Sequence, residues 1–330
     1  MGRGEGAWVA RLGEPRALRY EAADAAADLD GHVRAGSGLR RWGERVVVVQ
    51  DDVNALALLE EGAGVVTPLL LPAGEGGRRS FSAARGDKAA KMDLEACVVL
   101  PDGRLVALGS GSTPARERLV VVDAARSARV VDGGALYAGL RARVEFAGSE
   151  LNIEGAAVSG DKLLLFQRGN GAASGELKPC NAVGELSLGG FVAWLDGAEA
   201  APGLLSSRQV ALGSVRGVPY GFTDAAALPD GRVAVLVGAE DSPDTYQDGE
   251  VLGAKLGFLD GEGAVLAEIV DHQGAPTRLK LEGLDFVGFG PGGALEFLVV
   301  ADMDDPSQPA LLAPLTLSWR EGDPSDMSTL

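Results

Sequence analysis

Five variants of one short stretch recur along this chain, and they restrict its fold more than any bulk property does. They are AGSGLRRW (Ala35–Trp42), DLEACVVL (Asp93–Leu100), LNIEGAAV (Leu151–Val158), FTDAAALP (Phe222–Pro229) and KLEGLDFV (Lys280–Val287). Each sets a polar residue ahead of a small one and then runs on as an apolar strand. The polar residues are Ser37, Glu95, Glu154, Asp224 and Glu282, spaced 58, 59, 70 and 58 residues apart. A near-constant period of this size marks a repeat architecture.

The segments downstream of each copy identify the repeating unit. Pro101-Asp102-Gly103-Arg104, Ser159-Gly160-Asp161-Lys162 and Pro229-Asp230-Gly231-Arg232 each separate two apolar runs. Such turns read as β-hairpins. Third runs come at Leu119–Asp123, Phe191–Asp196 and Lys255–Asp260, and weaker fourth runs at ARVVD, RQVAL and VLAEIVD. Four-stranded meanders about every 60 residues predict an all-β propeller. Five repeats predict five blades; six would result if residues 1–34 or 133–150 held a degenerate one. The last repeat offers three strands. An N-terminal strand at Ala17–Tyr20 is expected to complete it, which would remove exposed edges and lock the ring. Ala135–Glu145 carries helical spacing and reads as a helix between blades. Two insertions, Arg168–Gly190 and the acidic Ala239–Gly253, are expected to be loops on the binding face. Residues 1–320 read as one domain, with a polar tail at 321–330.

The 330 residues carry a formal net charge of −17. A surface of that sign repels phosphate backbones, so nucleic acid is not an expected partner. No apolar run is long enough to span a membrane, and the N-terminal residues lack the apolar core of a signal peptide. The expectation is a cytoplasmic monomer, and a secreted chain already processed would read the same way. Two cysteines, Cys97 and Cys180, make no disulfide framework.

First strands line the channel of a propeller. Glu95, Glu154, Asp224 and Glu282 are therefore expected to converge near the axis, with Ser37 in the fifth place. Carboxylates at close range raise one another's pKa. They are relieved by protonation, by basic partners or by a bound cation. Asp93 and Asn152, two residues upstream on the same strand face, would add oxygens. An all-oxygen set suits calcium, whereas His32 and His272 are isolated, which disfavours zinc. The acids tying neighbouring blades together through backbone amides and water is the structural alternative. The second strands end at Asp51, Ser110, Arg168, Glu240-Asp241 and Asp302, on one face. Arg85, Lys88, Lys91, Arg168, Asn170, Asn181 and Asp241 form the candidate substrate-binding set, which would hold a small anionic phosphate or carboxylate. The alternative role for these basic residues is to neutralise the acidic ring. No nucleophile elbow, phosphate-cradling Gly-x-x-x-x-Gly-Lys loop, His-Glu-x-x-His or Cys-x-x-Cys motif occurs.

NIEGAAV and LEGLDFV, each opening a blade, resemble the blade-opening motif of the esterase-like phytase domain family and of related bacterial propellers of unknown function. The resemblance covers about residues 35–320 on a short motif. Calcium-dependent propellers such as the gluconolactonase and paraoxonase-like hydrolases are similar in placing acids at the channel mouth. These resemblances imply a metal-assisted ester, lactone or phosphoester hydrolase. A hydrolase here should have an open pocket above the acidic ring, reached by Arg168, Asn170 and Asp241. The reading from another class is a non-catalytic propeller that binds a protein partner through its long loops.

Overall fold

The computed structural model describes residues 6–60, 65–241, 249–261 and 263–321. Strand β1 (Gly6–Leu12) and the two-residue β2 (Arg16–Ala17) come first. The first sheet contains β3 (Gly36–Trp42), β4 (Arg45–Gln50), β5 (Ala55–Glu60) and β6 (Val66–Leu70). The second contains β7 (Leu94–Val99), β8 (Leu105–Gly109), β9 (Arg118–Val122) and β10 (Ala128–Asp132). The third contains β11 (Ile153–Ser159), β12 (Lys162–Gln167), β13 (Ala182–Ser187) and β14 (Ser206–Gln209). A two-residue hairpin, β15 (Ser214–Val215) with β16 (Val218–Pro219), leads to β17 (Gly221–Ala227), β18 (Val233–Asp241), β19 (Glu250–Asp260) and β20 (Gly263–Val270). The last meander is β21 (Lys280–Phe289), β22 (Leu295–Asp302) and β23 (Leu311–Glu321).

Each meander is antiparallel, and the inner strands β3, β7, β11, β17 and β21 stand side by side in cyclic order, with β21 meeting β3 again. This is a β-propeller. The middle strands are buried on both faces, which is why they read as unbroken apolar runs such as RVVVVQ. Separate cores fill the gaps between sheets. Val47, Val49, Leu56 and Leu58 pack against Leu94, Cys97, Leu105, Val120 and Val122 between the first and second. Each such side chain taken from water contributes about 1.5–3 kcal/mol. In both Pro-Asp-Gly-Arg turns the glycine takes positive φ, +87° at Gly103 and +86° at Gly231, where any Cβ would be strained.

Three expectations are corrected. The strand that completes the last meander is β1, paired antiparallel with β23 from Gly6↔Glu321 to Leu12↔Leu315. It also pairs parallel with β20, at Ala10↔Ile269, joining the last two sheets. Within Ala17–Tyr20, only Ala17 reaches β23, while Leu18 and Tyr20 pack into the core between the last and first sheets. Alternation in GAWVARL is what selects β1: Ala10 and Leu12 are buried, and the Trp8 ring stands edge-on to Phe258 and Trp319.

The second correction is in the third sheet. Phe191–Asp196 is not a strand, because Leu188–Leu195 forms a helix, α3 in chain order, with Leu188, Phe191 and Leu195 buried on one face. The Ser187 side chain caps it by accepting from Gly190 N at 3.2 Å. The third strand is instead Ala182–Ser187, so the insertion before it is shorter than the sequence suggested. Third, the segment Ala135–Glu145 forms two helices, α1 (Gly134–Arg141) and α2 (Val144–Ala147). Within the acidic insertion Ala239–Gly253, β18 and β19 continue as an extended hairpin to Asp241 and from Glu250. Its residues 242–248, and all of the 321–330 tail except Glu321, lie outside the described residues.

Candidate functional site

Every inner strand carries a bulge at its entrance. The ladder skips Ser37 between Gly36 and Gly38, Glu95 between Leu94 and Ala96, and Glu154 between Ile153 and Gly155. It skips Thr223 between Phe222 and Asp224, and Glu282 between Leu281 and Gly283. A bulge re-aims the extra side chain out of the alternating pattern. Ser37, Glu95, Glu154 and Glu282 are thereby turned to the wall of one cavity of about 400 Å3 at the mouth of the channel.

The fourth repeat departs from the sequence reading: Thr223, not Asp224, occupies the bulge. Asp224 takes the next position, which is Gly38, Ala96, Gly155 and Gly283 in the other repeats. It is fully buried, does not line the cavity, and accepts from Arg40 Nη2 at 3.0 Å, Leu284 N at 2.9 Å and Ala225 N at 2.7 Å. The four carboxylates Glu95, Glu154, Asp224 and Glu282 therefore do not share one face. Asp224 was misplaced because the Asp-Ala pair mimics the polar-small pattern of the other repeats.

Two further rows complete the wall. Asp93, Asn152 and Lys280 lie two residues before their bulges, and Asp51, Arg168 and Asp302 close the second strands. Together the lining residues include eight carboxylates, Asp51, Asp93, Glu95, Glu154, Glu240, Asp241, Glu282 and Asp302, against five cations, Lys88, Lys91, Arg116, Arg168 and Lys280.

Most of these charges are committed to one another. On one side the Lys91 ammonium contacts Asp51 and, at 2.7 Å, Asp93, while Arg116 reaches Asp93 at 2.9 Å. On the other, Arg168 lies 3.1 Å from Glu240, 3.6 Å from Glu154 and 4.0 Å from Glu282. Lys280 lies 2.7 Å from Asp304, 3.7 Å from Glu282 and 3.8 Å from Asp302. Asn152 Nδ2 donates to Glu154 Oε1 at 2.7 Å and to Asn170 Oδ1 at 3.1 Å. The long Arg168 side chain finds its place because the fourth repeat is bare there: a Cβ on Gly221 would sit 2.7 Å from Arg168 Cγ.

Glu95 is different. It forms no ion pair or hydrogen bond among the described residues, and its oxygen lies in a group with those of Asp51 and Asp93, all within 4.8 Å of one another. Burial, then the charges of Asp93, Glu154 and Asp51, push its carboxyl well above the usual range. Burial also raises Glu154 and Glu282 against the opposing pull of Arg168 and Lys280, and lifts Asp302 to about 8. Asp93 goes the other way: burial would raise it, but Lys91 and Arg116 hold it below its ordinary value.

Of the candidate substrate-binding residues, Lys88, Lys91, Arg168, Asn170 and Asp241 line the cavity. Arg85 does not; it pairs with Asp28 at 3.1 Å and Asp87 at 3.4 Å, since its 3-10 turn faces the loop that enters the first sheet. Asn181 does not either; its Oδ1 accepts from Gly169 N and its Nδ2 donates to Tyr220 O, bracing the loop behind the wall. Sequence reading missed Lys280 and Arg116. Lys280 sits two residues before Glu282, as Asp93 and Asn152 sit before their glutamates, so the strand period already pointed to it. Arg116 arrives from a turn between β8 and β9 and has no such signal.

The profile of a family of unknown function (DUF6929) matches residues 32–317. No curated protein sequence matches the chain. Among solved structures, streptogramin B lyase is similar at 10% identity, covering 93% of this chain and 98% of the other, with a TM-score of 0.42. The α-L-arabinanase of Penicillium chrysogenum complexed with arabinobiose is similar at 9% identity, covering 86% and 97%, with a TM-score of 0.45. The α-L-arabinofuranosidase of Fusarium graminearum, also with arabinobiose, is similar at 6% identity, covering 91% and 97%, with a TM-score of 0.47. At these identities and scores the likeness carries nothing about chemistry. No described helix is long and apolar enough to cross a membrane.

Proposed function

The chain belongs to the DUF6929 family, and we propose that the cavity of this family member is the site of a metal-assisted hydrolase acting on a small ester, lactone or phosphoester. The observation that carries this reading is the grouping of Asp51, Asp93 and Glu95 oxygens within 4.8 Å of one another on the cavity wall. Three carboxylates fit a hard divalent cation, and calcium tolerates such irregular oxygen sites better than magnesium does. The Lys91 ammonium already neutralises two of the three. A cation must therefore compete with Lys91, and the bound state requires that side chain to move aside.

A bound cation would polarise the substrate's carbonyl or phosphoryl oxygen. The chain's own residues do the rest. In this reading Glu154, raised by burial and hydrogen-bonded by Asn152, accepts a proton from an attacking water. Arg168 fixes Glu154 from its other side.

The test pairs thermal melts in chelator, calcium and magnesium with hydrolysis assays on ester, lactone and phosphoester panels. A cation bound only to the folded state stabilises by about 2.7 kcal/mol at a hundredfold excess over Kd. Glu95→Gln should abolish that gain, and Lys91→Gln should strengthen it by removing the competing charge. Glu154→Gln should lower kcat by about 10²–10⁴-fold. Melts insensitive to every cation in both the parent and Lys91→Gln would defeat the reading.

A further inference from the structure

The eight carboxylates and five cations of the cavity wall do not cancel evenly. Lys91, Arg116, Arg168 and Lys280 each have a carboxylate oxygen within 4.0 Å. Lys88, on the 3-10 turn Lys88–Ala90, lines the same cavity, is only partly buried and has no ion pair or hydrogen bond among the described residues. Among those residues it is thus the one cavity cation with its charge uncommitted.

We infer that the substrate carries a single, singly charged oxyanion that docks on Lys88, and that phosphate monoesters in their dianionic form are rejected. This rests on the reading of the cavity as the working site and narrows its substrate class to small ligands with one monoanionic group, a carboxylate being the simplest. An ammonium on a flexible stem acts as a point charge and can hold one compact anion. The other cations are unavailable, because a ligand anion would have to displace a carboxylate already in contact with each. The remaining carboxylates set the upper limit on ligand charge. A second negative charge gains no second partner among the cavity cations, which are already paired, and meets the carboxylate of Asp241 on the same wall. The anionic group of the substrate therefore docks on Lys88, and the rest of the ligand is neutral or cationic.

Ligand-observed NMR with butyrate and with propyl phosphate tests this. The two have similar apolar parts and differ in anion charge at about pH 8, above the second phosphate pKa of about 6. Measurements in chelator keep the result independent of any metal, so failure here and failure of the metal reading are separable. Butyrate should bind, with affinity lost about tenfold or more in Lys88→Gln and restored in Lys88→Arg, as expected for a charge-assisted contact. Propyl phosphate should bind at least about tenfold more weakly than butyrate. Equal or tighter binding of propyl phosphate overturns the inference. So does butyrate binding unchanged in Lys88→Gln, or no butyrate binding at all. A melt of Lys88→Gln matching the parent confirms that the variant is folded when it is compared.

Discussion

Arg40 and Asp224 face each other in the buried interior as a bidentate pair, Nη1 to Oδ2 at 2.8 Å and Nη2 to Oδ1 at 3.0 Å. Arg40 also donates to the carbonyls of Leu284 at 2.6 Å and Ala225 at 2.8 Å, and to that of Ala156. One guanidinium from the first repeat thus ties inner strands of the third, fourth and fifth. Arginine suits the task because its five donors are fixed in a plane and it stays charged.

Removing either partner should be costly, since it leaves the other charge buried alone. Arg40→Met and Asp224→Asn should each lower unfolding free energy by about 3–5 kcal/mol. Asp224→Asn should leave cation-dependent melting shifts in place, because Asp224 does not line the cavity. Urea titrations of both variants, with and without calcium, check the two statements together.

Strand β1 should be indispensable to the ring. Deleting residues 1–13 removes its seven-residue ladder with β23 and exposes the edges of both β23 and β20. Two open edges invite pairing between molecules. The truncated chain should be recovered as oligomers or aggregates in size-exclusion chromatography. A monomeric truncation with the parent's melting temperature would contradict this assignment.

Stability should fall as pH rises toward about 8 and level off above it. A carboxyl whose pKa rises on folding is held protonated by the fold. Its contribution is complete below its ordinary value of 3.8 and is lost as pH climbs through the folded value, about 8 for Asp302. The raised carboxyls of Glu95 and Glu282 act in the same direction. Urea midpoints measured from about pH 6 to about pH 9 should fall, and Asp302→Asn should flatten the slope. A midpoint rising over that range in the parent would refute the assignment.

Gly221 should not tolerate a methyl group. A Cβ there meets Arg168 Cγ at 2.7 Å, so Gly221→Ala must push aside the side chain that holds Glu154, Glu240 and Glu282. Overpacking of this kind costs about 1–3 kcal/mol. Because Arg168 also orients Glu154, the variant should lose turnover on any hydrolysed substrate even at temperatures where it stays folded. Melts and steady-state rates on the same preparation separate the two effects.

The repeat, its period and the strand-turn-strand grammar of each unit were all legible in the amino-acid order alone. These are local properties: an Asp-Gly turn and an apolar run report the backbone they form wherever they stand. Glu95, Glu154 and Glu282 were legible for the same reason, since a glutamate before a small residue at the head of an inner strand recurs at a fixed spacing. Packing in three dimensions settled the points that local pattern leaves open. A one-residue bulge at Thr223 turned Asp224 away from the cavity into the buried interior, because side chains alternate with a period of two and a slip of one reverses their direction. An apolar run at Leu188–Leu195 became a helix, because buried helix and buried strand have similar composition and only packing separates them. The grouping of Asp51 with Asp93 and Glu95, the commitment of four cavity cations to carboxylates, and the uncommitted charge of Lys88 among the described residues depend on distances across the ring. Residues tens or hundreds of positions apart in the chain meet there, and nothing in their local sequence encodes the separation.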